Sequence, residues 1–301
     1  MKKILLKVKK ILNKDTLLCF EQLKSFYRSE LLINNILNNN TTGVTKQQYF
    51  NEKIIVSLTT FSNRYYEVYL TIESLMQQTL KPNKIILWLA DSFKTVKLPI
   101  FLEKQIERGL EIKYCNDIMS YKKLIPTLKL FPNDIIITFD DDKLYNYDLI
   151  ENLVKSYITN PIHVSSGRLH KIKLLKNNIP ADYKNWDWNY TKLDISPLNF
   201  PTGVGGVLYP PGCFSDEVFN ETVFTDICKH ADDIWFKAMA LLNNTQAVKA
   251  FTHNINGYDY ISNYNTQNTS LSRLNVDKGL NDIQLKAVFD KYNLWGKLYS
   301  K

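Results

Sequence analysis

Hydrophobic and polar positions change their pattern near residue 53. From there, apolar runs of strand length alternate with stretches whose apolar residues recur at helical spacing. Ile54-Ile55-Val56-Ser57-Leu58 is a continuous apolar run, as a parallel strand buried on both faces requires. Val68, Ile72, Leu75 and Met76 then share one face of a predicted helix. Residues 84–89 form the second predicted strand, and Pro99 opens a helix that Gly109 closes. Residues 111–114 are the third strand, 121–131 a short helix and 134–139 the fourth strand. Alternation at this pace predicts right-handed crossovers and an α/β fold built on a mainly parallel central sheet flanked by helices. Beyond residue 160 the alternation weakens. Residues 170–200, with their charges, Asn, Pro180 and Trp186-Asp187-Trp188, read as a long excursion with little regular structure. Loops of that length inside a domain are commonly binding loops or lids. Strand character returns at 204–209, followed by predicted helices over 232–242 and 282–292.

The first fifty residues differ. Ile4, Leu5, Val8, Ile11 and Leu12 recur at helical spacing, with Lys2, Lys3, Lys7, Lys9, Lys10 and Lys14 largely between them. This predicts a basic amphipathic helix, suited either to an anionic membrane surface or to packing on the domain with a solvated lysine face. Residues 38–43, rich in Asn and Thr, read as a linker. No run of about 20 apolar residues is present, so no segment is expected to span a membrane. Lys9, Lys10 and Lys14 interrupt any signal-peptide core. The expected location is the cytoplasm, with peripheral attachment to the inner face of the membrane as the membrane alternative.

Composition adds little to the fold but narrows the partners. With 45% hydrophobic and 23% charged residues, the 301-residue chain is ordinary globular material. A net charge of +8 suits nucleotide phosphates or an anionic membrane. The lysines are scattered and no recognition motif is present, which argues against a nucleic-acid partner. Four cysteines form no CxxC pair and show no zinc spacing, so they read as reduced thiols.

In parallel α/β sheets ligands bind beyond the carboxyl ends of the strands. Asp91 ends the second predicted strand and Asp140-Asp141-Asp142 the fourth, so they should converge on one crevice. Three adjacent carboxylates raise one another's pKa and are costly unless a cation neutralises them. A divalent Mn2+ or Mg2+ bridging Asp140 and Asp142 to a diphosphate would remove that cost. Lys123, at the start of the helix before that strand, lies near the helix N-terminus and can meet the same diphosphate. The glycines of residues 203–212 lack the spacing of a dinucleotide fingerprint but would let backbone approach a ligand.

Ile135-Ile136-Ile137-Thr138-Phe139 followed by Asp140-Asp141-Asp142 resembles the Asp-x-Asp motif of GT-A fold nucleotide-sugar glycosyltransferases. The likeness is to the large inverting bacterial family, glycosyltransferase family 2-like, that builds surface polysaccharides. Val56 to Phe61 with Arg64 is similar to that family's first strand and nucleotide-contacting loop. Ile72-Glu73-Ser74-Leu75 with Gln78-Thr79 and Pro82 resembles the run leading into its second strand. Ala231-Asp232-Asp233-Ile234-Trp235 resembles the late acidic pair that supplies the catalytic base. Departures are that the first strand ends in Thr-Thr-Phe-Ser-Asn, that only Asp91 closes the second, and that the late pair is Asp-Asp.

The resemblance implies a GT-A domain over residues 51–250, an N-terminal extension over 1–50 and a tail with a helix over 251–301. It implies a UDP-sugar donor, a saccharide or lipid-linked saccharide acceptor, and Mn2+ or Mg2+ held by Asp140, Asp142 and a late His253. Thr59, Thr60, Arg64, Asp91, Asp117, Lys123, Asp141 and Arg273 would contact the nucleotide sugar, with Gly205, Gly206 and Trp235 beside donor sugar and acceptor. Asp233 would be the base, because Asp232 at the helix N-cap has its carboxylate stabilised by free N–H groups. A retaining transferase shares the Asp-x-Asp motif and remains open. So does a nucleotidyltransferase or metal-dependent phosphotransferase, although the Gly-rich basic loop usual there after the first strand is missing from residues 57–61.

Overall fold

The apolar run at the head of the pattern becomes β1 (Ile54–Thr59), and residues 54–58 are fully buried. It pairs in parallel with β2 (Lys84–Ala90) on one side and β4 (Ile135–Phe139) on the other, and β2 pairs in parallel with β3 (Leu110–Cys115). The computed structural model describes residues 14–254, 256–269 and 279–299, so the aliphatic and lysine stripe of residues 2–13 and Arg273 lie outside the described residues. The helices α1 (Lys14–Asn38), α2 (Val68–Met76), α3 (Ile100–Glu107) and α4 (Ile125–Leu130) occur in this half of the chain.

After β4 come β5 (Lys143–Tyr145), α5 (Leu149–Thr159), β6 (Val164–Ser166) and β7 (Leu169–Lys171). Then follow β8 (Ile195–Ser196), β9 (Asn199–Pro201), β10 (Val207–Tyr209), α6 (Glu221–Ile227) and α7 (Asp232–Leu242). The last elements are β11 (Ala247–Lys249), β12 (Tyr260–Ser262) and α8 (Leu280–Lys291). Eight strands form one sheet in the order β3-β2-β1-β4-β10-β6-β11-β8. β10 enters antiparallel to both β4 and β6, so the sheet is parallel through β3-β2-β1-β4 and mixed beyond. Alternation along β1 divides two cores. Ile55 packs with Ile86, Ile136 and the α7 residues Trp235 and Phe236, while Ile54, Val56 and Leu58 pack with α2 and α5 on the other face.

Two boundaries differ from expectation. The helix predicted over 121–131 is a 3-10 turn, Met119–Lys123, followed by α4. Pro126 has no N–H to continue a ladder backwards, so the regular helix starts beside it. The strand predicted from residue 204 begins at Val207, because Gly203–Gly205 form a 3-10 turn and Gly206 has φ of +79°. The 170–200 excursion is mainly turns, anchored by the β7–β9 pair and by Tyr183, Trp186 and Phe200 packed ring against ring. Among the described residues no helix is long and apolar enough to cross a membrane.

Candidate active site

The turn after β4 is fixed by side chains from neighbouring elements. Thr71 of α2 donates its hydroxyl to the carbonyls of Asp141 (2.9 Å) and Lys143 (2.8 Å). Tyr145 Oη accepts from the Asp140 N–H at 3.1 Å and lies 3.2 Å from the Val204 carbonyl, which links the β4 end to the glycine turn. From the end of β1, Thr60 donates to Asp141 Oδ2 (2.6 Å) and Arg64 Nη1 to Asp141 Oδ1 (2.7 Å). Arg64 Nη2 also sits 3.2 Å from Asp142 Oδ2, and Lys143 Nζ 3.0 Å from Asp142 Oδ1. Burial pushes the Asp141 carboxyl up to about 6, and Asp142 adds to this; Arg64 and Thr60 act in the opposite direction.

Asp140 turns the other way. Its Oδ1 lies 2.9 Å from Lys123 Nζ, which is also 2.8 Å from Asp232 Oδ2 and 4.0 Å from Asp233 Oδ1. One lysine, 4% exposed, therefore joins the end of β4 to the first turn of α7. Burial alone would discharge Lys123, but Asp140, Asp232 and Asp233 together hold its pKa well above the ordinary value. Asp233 accepts from the Gly203 N–H with both carboxylate oxygens, at 3.1 and 3.0 Å. Burial, then Asp232 and Asp140, push it up to about 7 against the pull of Lys123 and that N–H. A Cβ on Gly203 would come within 2.5 Å of Lys123 Nζ and 3.1 Å of Asp140 Oδ1, so glycine lets the backbone cover the cluster.

The structure thus brings together Asp140, Asp141, Asp142, Thr60, Arg64, Lys123, Asp232 and Asp233, but several of these residues do other work than the sequence suggested. Thr60 and Arg64, expected on the nucleotide, hold Asp141 and Asp142, and Arg64 is buried. Thr59 donates to the Trp88 carbonyl and ties β1 to β2. Asp232 is not an N-cap. Ala231 caps α7, and Asp232 is its first residue, turned to Lys123. Trp235 is fully buried and donates to the Val218 carbonyl, so it is a core residue with no face for a sugar. Gly205 and Gly206 press on Arg168 and Phe139, and the glycine that meets the cluster is Gly203. His253 is exposed and faces Asp148 at 3.2 Å instead of the aspartates after β4. Asp91 and Asp117 are paired with Lys94 and Lys122, away from the carboxylate cluster.

Sequence reading missed Lys143, Thr71 and Tyr145, and named Gly203 only as one of several glycines able to bring backbone close to a ligand. A lysine directly after three aspartates was a visible charge match, whereas the roles of Thr71 and Tyr145 depend on contacts between separate elements.

Among the described residues no group of three or more Asp, Glu, His or Cys is arranged to hold a metal ion unaided. Asp141 and Asp142 are committed to Arg64, Thr60 and Lys143. The donor set nevertheless fits a cation completed by a ligand. Five carboxylates (Asp140, Asp141, Asp142, Asp232, Asp233) face three cations (Arg64, Lys123, Lys143), a formal excess of two negative charges. Asp140, with a 30% exposed side chain and only Oδ1 paired, offers one carboxylate oxygen toward solvent. Mg2+ sites built on one carboxylate and substrate phosphates have this character.

No family model and no curated protein matches the chain. Solved structures do match. The mannosyltransferase PcManGT from Pyrobaculum calidifontis, in complex with GDP-Man and Mn2+, aligns over 76% of this chain and 62% of its own, at 14% identity and a TM-score of 0.43. S. aureus TarS 1-349 in complex with UDP aligns over 69% and 59%, at 16% identity and a TM-score of 0.43. A second structure of S. aureus TarS 1-349 aligns over 82% and 72%, at 14% identity and a TM-score of 0.47. The chain spans about three fifths of the length of the first two.

Proposed function

We propose that the chain is a GT-A-type glycosyltransferase that moves a sugar from a nucleotide diphosphate sugar, with UDP as the favoured carrier, to a hydroxyl of a saccharide or lipid-linked saccharide, in bacterial surface polysaccharide synthesis. The observation that carries this reading is Asp233. It is a carboxylate with a pKa raised to about 7, held by the Gly203 N–H beside Lys123 and Asp140 at the carboxyl end of β4. A base works best with a pKa near the operating pH. In the proposed reaction Asp233 takes the acceptor hydroxyl proton as that oxygen bonds the anomeric carbon. The carbon–oxygen bond to the diphosphate breaks, the nucleoside diphosphate leaves with the electron pair, and the anomeric configuration inverts. Lys123 orients Asp233 and Asp140 and keeps positive charge at the leaving-group side.

Asp140 is the residue that would hold a divalent Mn2+ or Mg2+ together with the diphosphate, and such an ion supplies Lewis-acid stabilisation of the leaving group. The 170–200 excursion, hung from β7 and β9, is the proposed wall for donor or acceptor.

The test is a binding screen of nucleotide sugars with and without Mn2+, followed by analysis of the product anomer. Donor binding that needs Mn2+ and is lost in Asp140→Ala supports the reading. Retained configuration would assign the retaining mechanism, and release of pyrophosphate would assign a nucleotidyltransferase.

A further inference from the structure

Helix α1 buries one side and exposes an apolar other side. Ser25, Ser29, Leu32 and Ile36 face inward, and Leu32 packs on Leu70 and Leu144. At 3.6 residues per turn, Phe20, Leu23, Tyr27 and Leu31 lie on the opposite face, and they are 49%, 58%, 67% and 42% exposed. Phe26, beside them, is 66% exposed. A solvent-facing helix side normally carries charged and polar residues. Contiguous exposed apolar side chains on a helix mark an interaction surface.

Beside this face lies a cavity of 440 Å³ between α1 and the end of α2, with Arg28, Lys81 and Arg108 in its wall. Arg108 is paired with buried Glu73, at 2.9 Å. Arg28 stacks over the Tyr147 ring at 4.3 Å and donates to its hydroxyl, and Lys81 donates only to the Met76 carbonyl. Among the described residues no carboxylate lines the cavity, and with Arg108 neutralised by Glu73 behind it the wall carries the positive charges of Arg28 and Lys81. Leu31 lines the cavity and also belongs to the apolar face, so the two features are continuous. Six lysines stand among the first fourteen residues, immediately before the exposed run.

We propose that this side of α1 is a seat for an anionic phospholipid surface: the apolar face enters the acyl boundary and the Arg28–Lys81–Arg108 cavity receives a phosphoryl headgroup. Apolar burial and cationic attraction together are what interfacial helices use. An anionic lipid supplies both partners at once, an acyl layer for Phe20, Leu23 and Tyr27 and a phosphate for the cavity. A protein partner would have to bring an acidic group and an apolar patch in the same register. The seat does not depend on the transferase reading and survives its failure.

The test is sedimentation of the full chain with equimolar phosphatidylglycerol–phosphatidylcholine vesicles, against phosphatidylcholine vesicles alone. The full chain should sediment only with the anionic vesicles. Leu23→Ser combined with Tyr27→Ser should lower the bound-to-free ratio about tenfold or more, as expected when two inserted side chains lose their transfer free energy. Both side chains are exposed, so the fold should survive, with unchanged circular dichroism as the check. Arg28→Gln should weaken binding to phosphatidylglycerol vesicles, and the binding that remains should fall less steeply with added salt than that of the unaltered chain. Absence of vesicle binding overturns the proposal, as does binding that the double variant leaves unchanged. A dimer of the full chain in light scattering that the double variant dissolves would assign the face to a second copy and also overturn it.

Discussion

Replacing Asp233 by Asn should abolish transfer and at the same time stabilise the protein at alkaline pH. Asn keeps the shape and an oxygen for the Gly203 N–H, so the turn over the cluster is retained. What is lost is a charge that the fold disfavours. The Asp233 pKa is raised from 3.8 to about 7, with burial the largest cause. The sign follows from proton binding. Between those two values the folded state holds a proton that the unfolded state has released, so stability falls as pH rises. The cost is absent below the unfolded value, grows through the window and is complete above about 7. At 1.36 kcal/mol per unit the shift corresponds to at most ~4 kcal/mol, and ~2–4 kcal/mol is expected because Lys123 and the Gly203 N–H still favour the ionised form. With roughly 2 °C per kcal/mol for a chain of this size, the variant should melt ~4–8 °C higher at pH 8.5 and at the same temperature near pH 3.5. Turnover should fall by roughly 10²–10⁴, the contribution of a positioned base. Donor binding should be kept, because in the proposed reaction Asp233 meets the acceptor hydroxyl and not the diphosphate. Differential scanning fluorimetry across pH, single-turnover transfer and donor titration test the three parts. Wild-type turnover in Asp233→Asn would remove Asp233 as the base. A melting difference that does not grow with pH would refute the burial argument itself.

Lys123→Met leaves buried Asp232 and half-buried Asp140 and Asp233 together without their shared cation, and chemical denaturation should show a loss of ~3–5 kcal/mol. Arg64→Gln removes the partner of Asp141 and Asp142, so the Asp141 pKa, already about 6, rises further; the destabilisation seen by fluorimetry should be larger at pH 8 than at pH 5. Lys237 is buried, has no hydrogen-bond partner among the described residues, and is lowered by burial and then by Lys171 to about 7. Its cost is complete below that value and fades as pH rises toward 10.5, so Lys237→Met should stabilise the protein by ~2–4 kcal/mol at pH 6 and by little at pH 10, read from urea midpoints.

β1, β2 and β4 were legible because both of their faces are buried. Ile54–Leu58 and Ile135–Phe139 have continuous apolar runs, and neither offers a competing helical period. Helix α7 was placed to the residue, since Ile234, Ala238 and Leu241 mark its inner face. What the pattern did not carry was the partner of each charge. Three adjacent aspartates read as a demand for an external cation, yet Arg64, Lys143 and Lys123 arrive from elements separate in sequence or just beyond the triplet. Trp235 looked like a sugar platform by its place after Asp233, but the helical turn between them carries its ring into the core beside Phe224 and Tyr292. Local spacing says which residues share a face, and only packing says which face meets the cleft.

Asp140 is the hinge between the two charge groups, and this has a mechanical consequence. Its neighbours Asp141 and Asp142 are bound to Arg64, on the β1 side, while its own carboxylate is bound through Lys123 to α7. The antiparallel entry of β10 beside β4 then lowers the Gly203 turn onto that junction, where the Gly203 N–H takes Asp233. Asp233, the proposed base, and Asp140, the carboxylate proposed to meet a diphosphate, therefore share one lysine. Drawing Asp140 toward a cation-bound diphosphate would weaken its hold on Lys123 and leave that lysine more fully to Asp232 and Asp233. The Asp233 pKa would fall, because Lys123 is the strongest influence that lowers it. Donor binding would in this way favour the ionised form of Asp233, whose pKa in the free protein is raised to about 7.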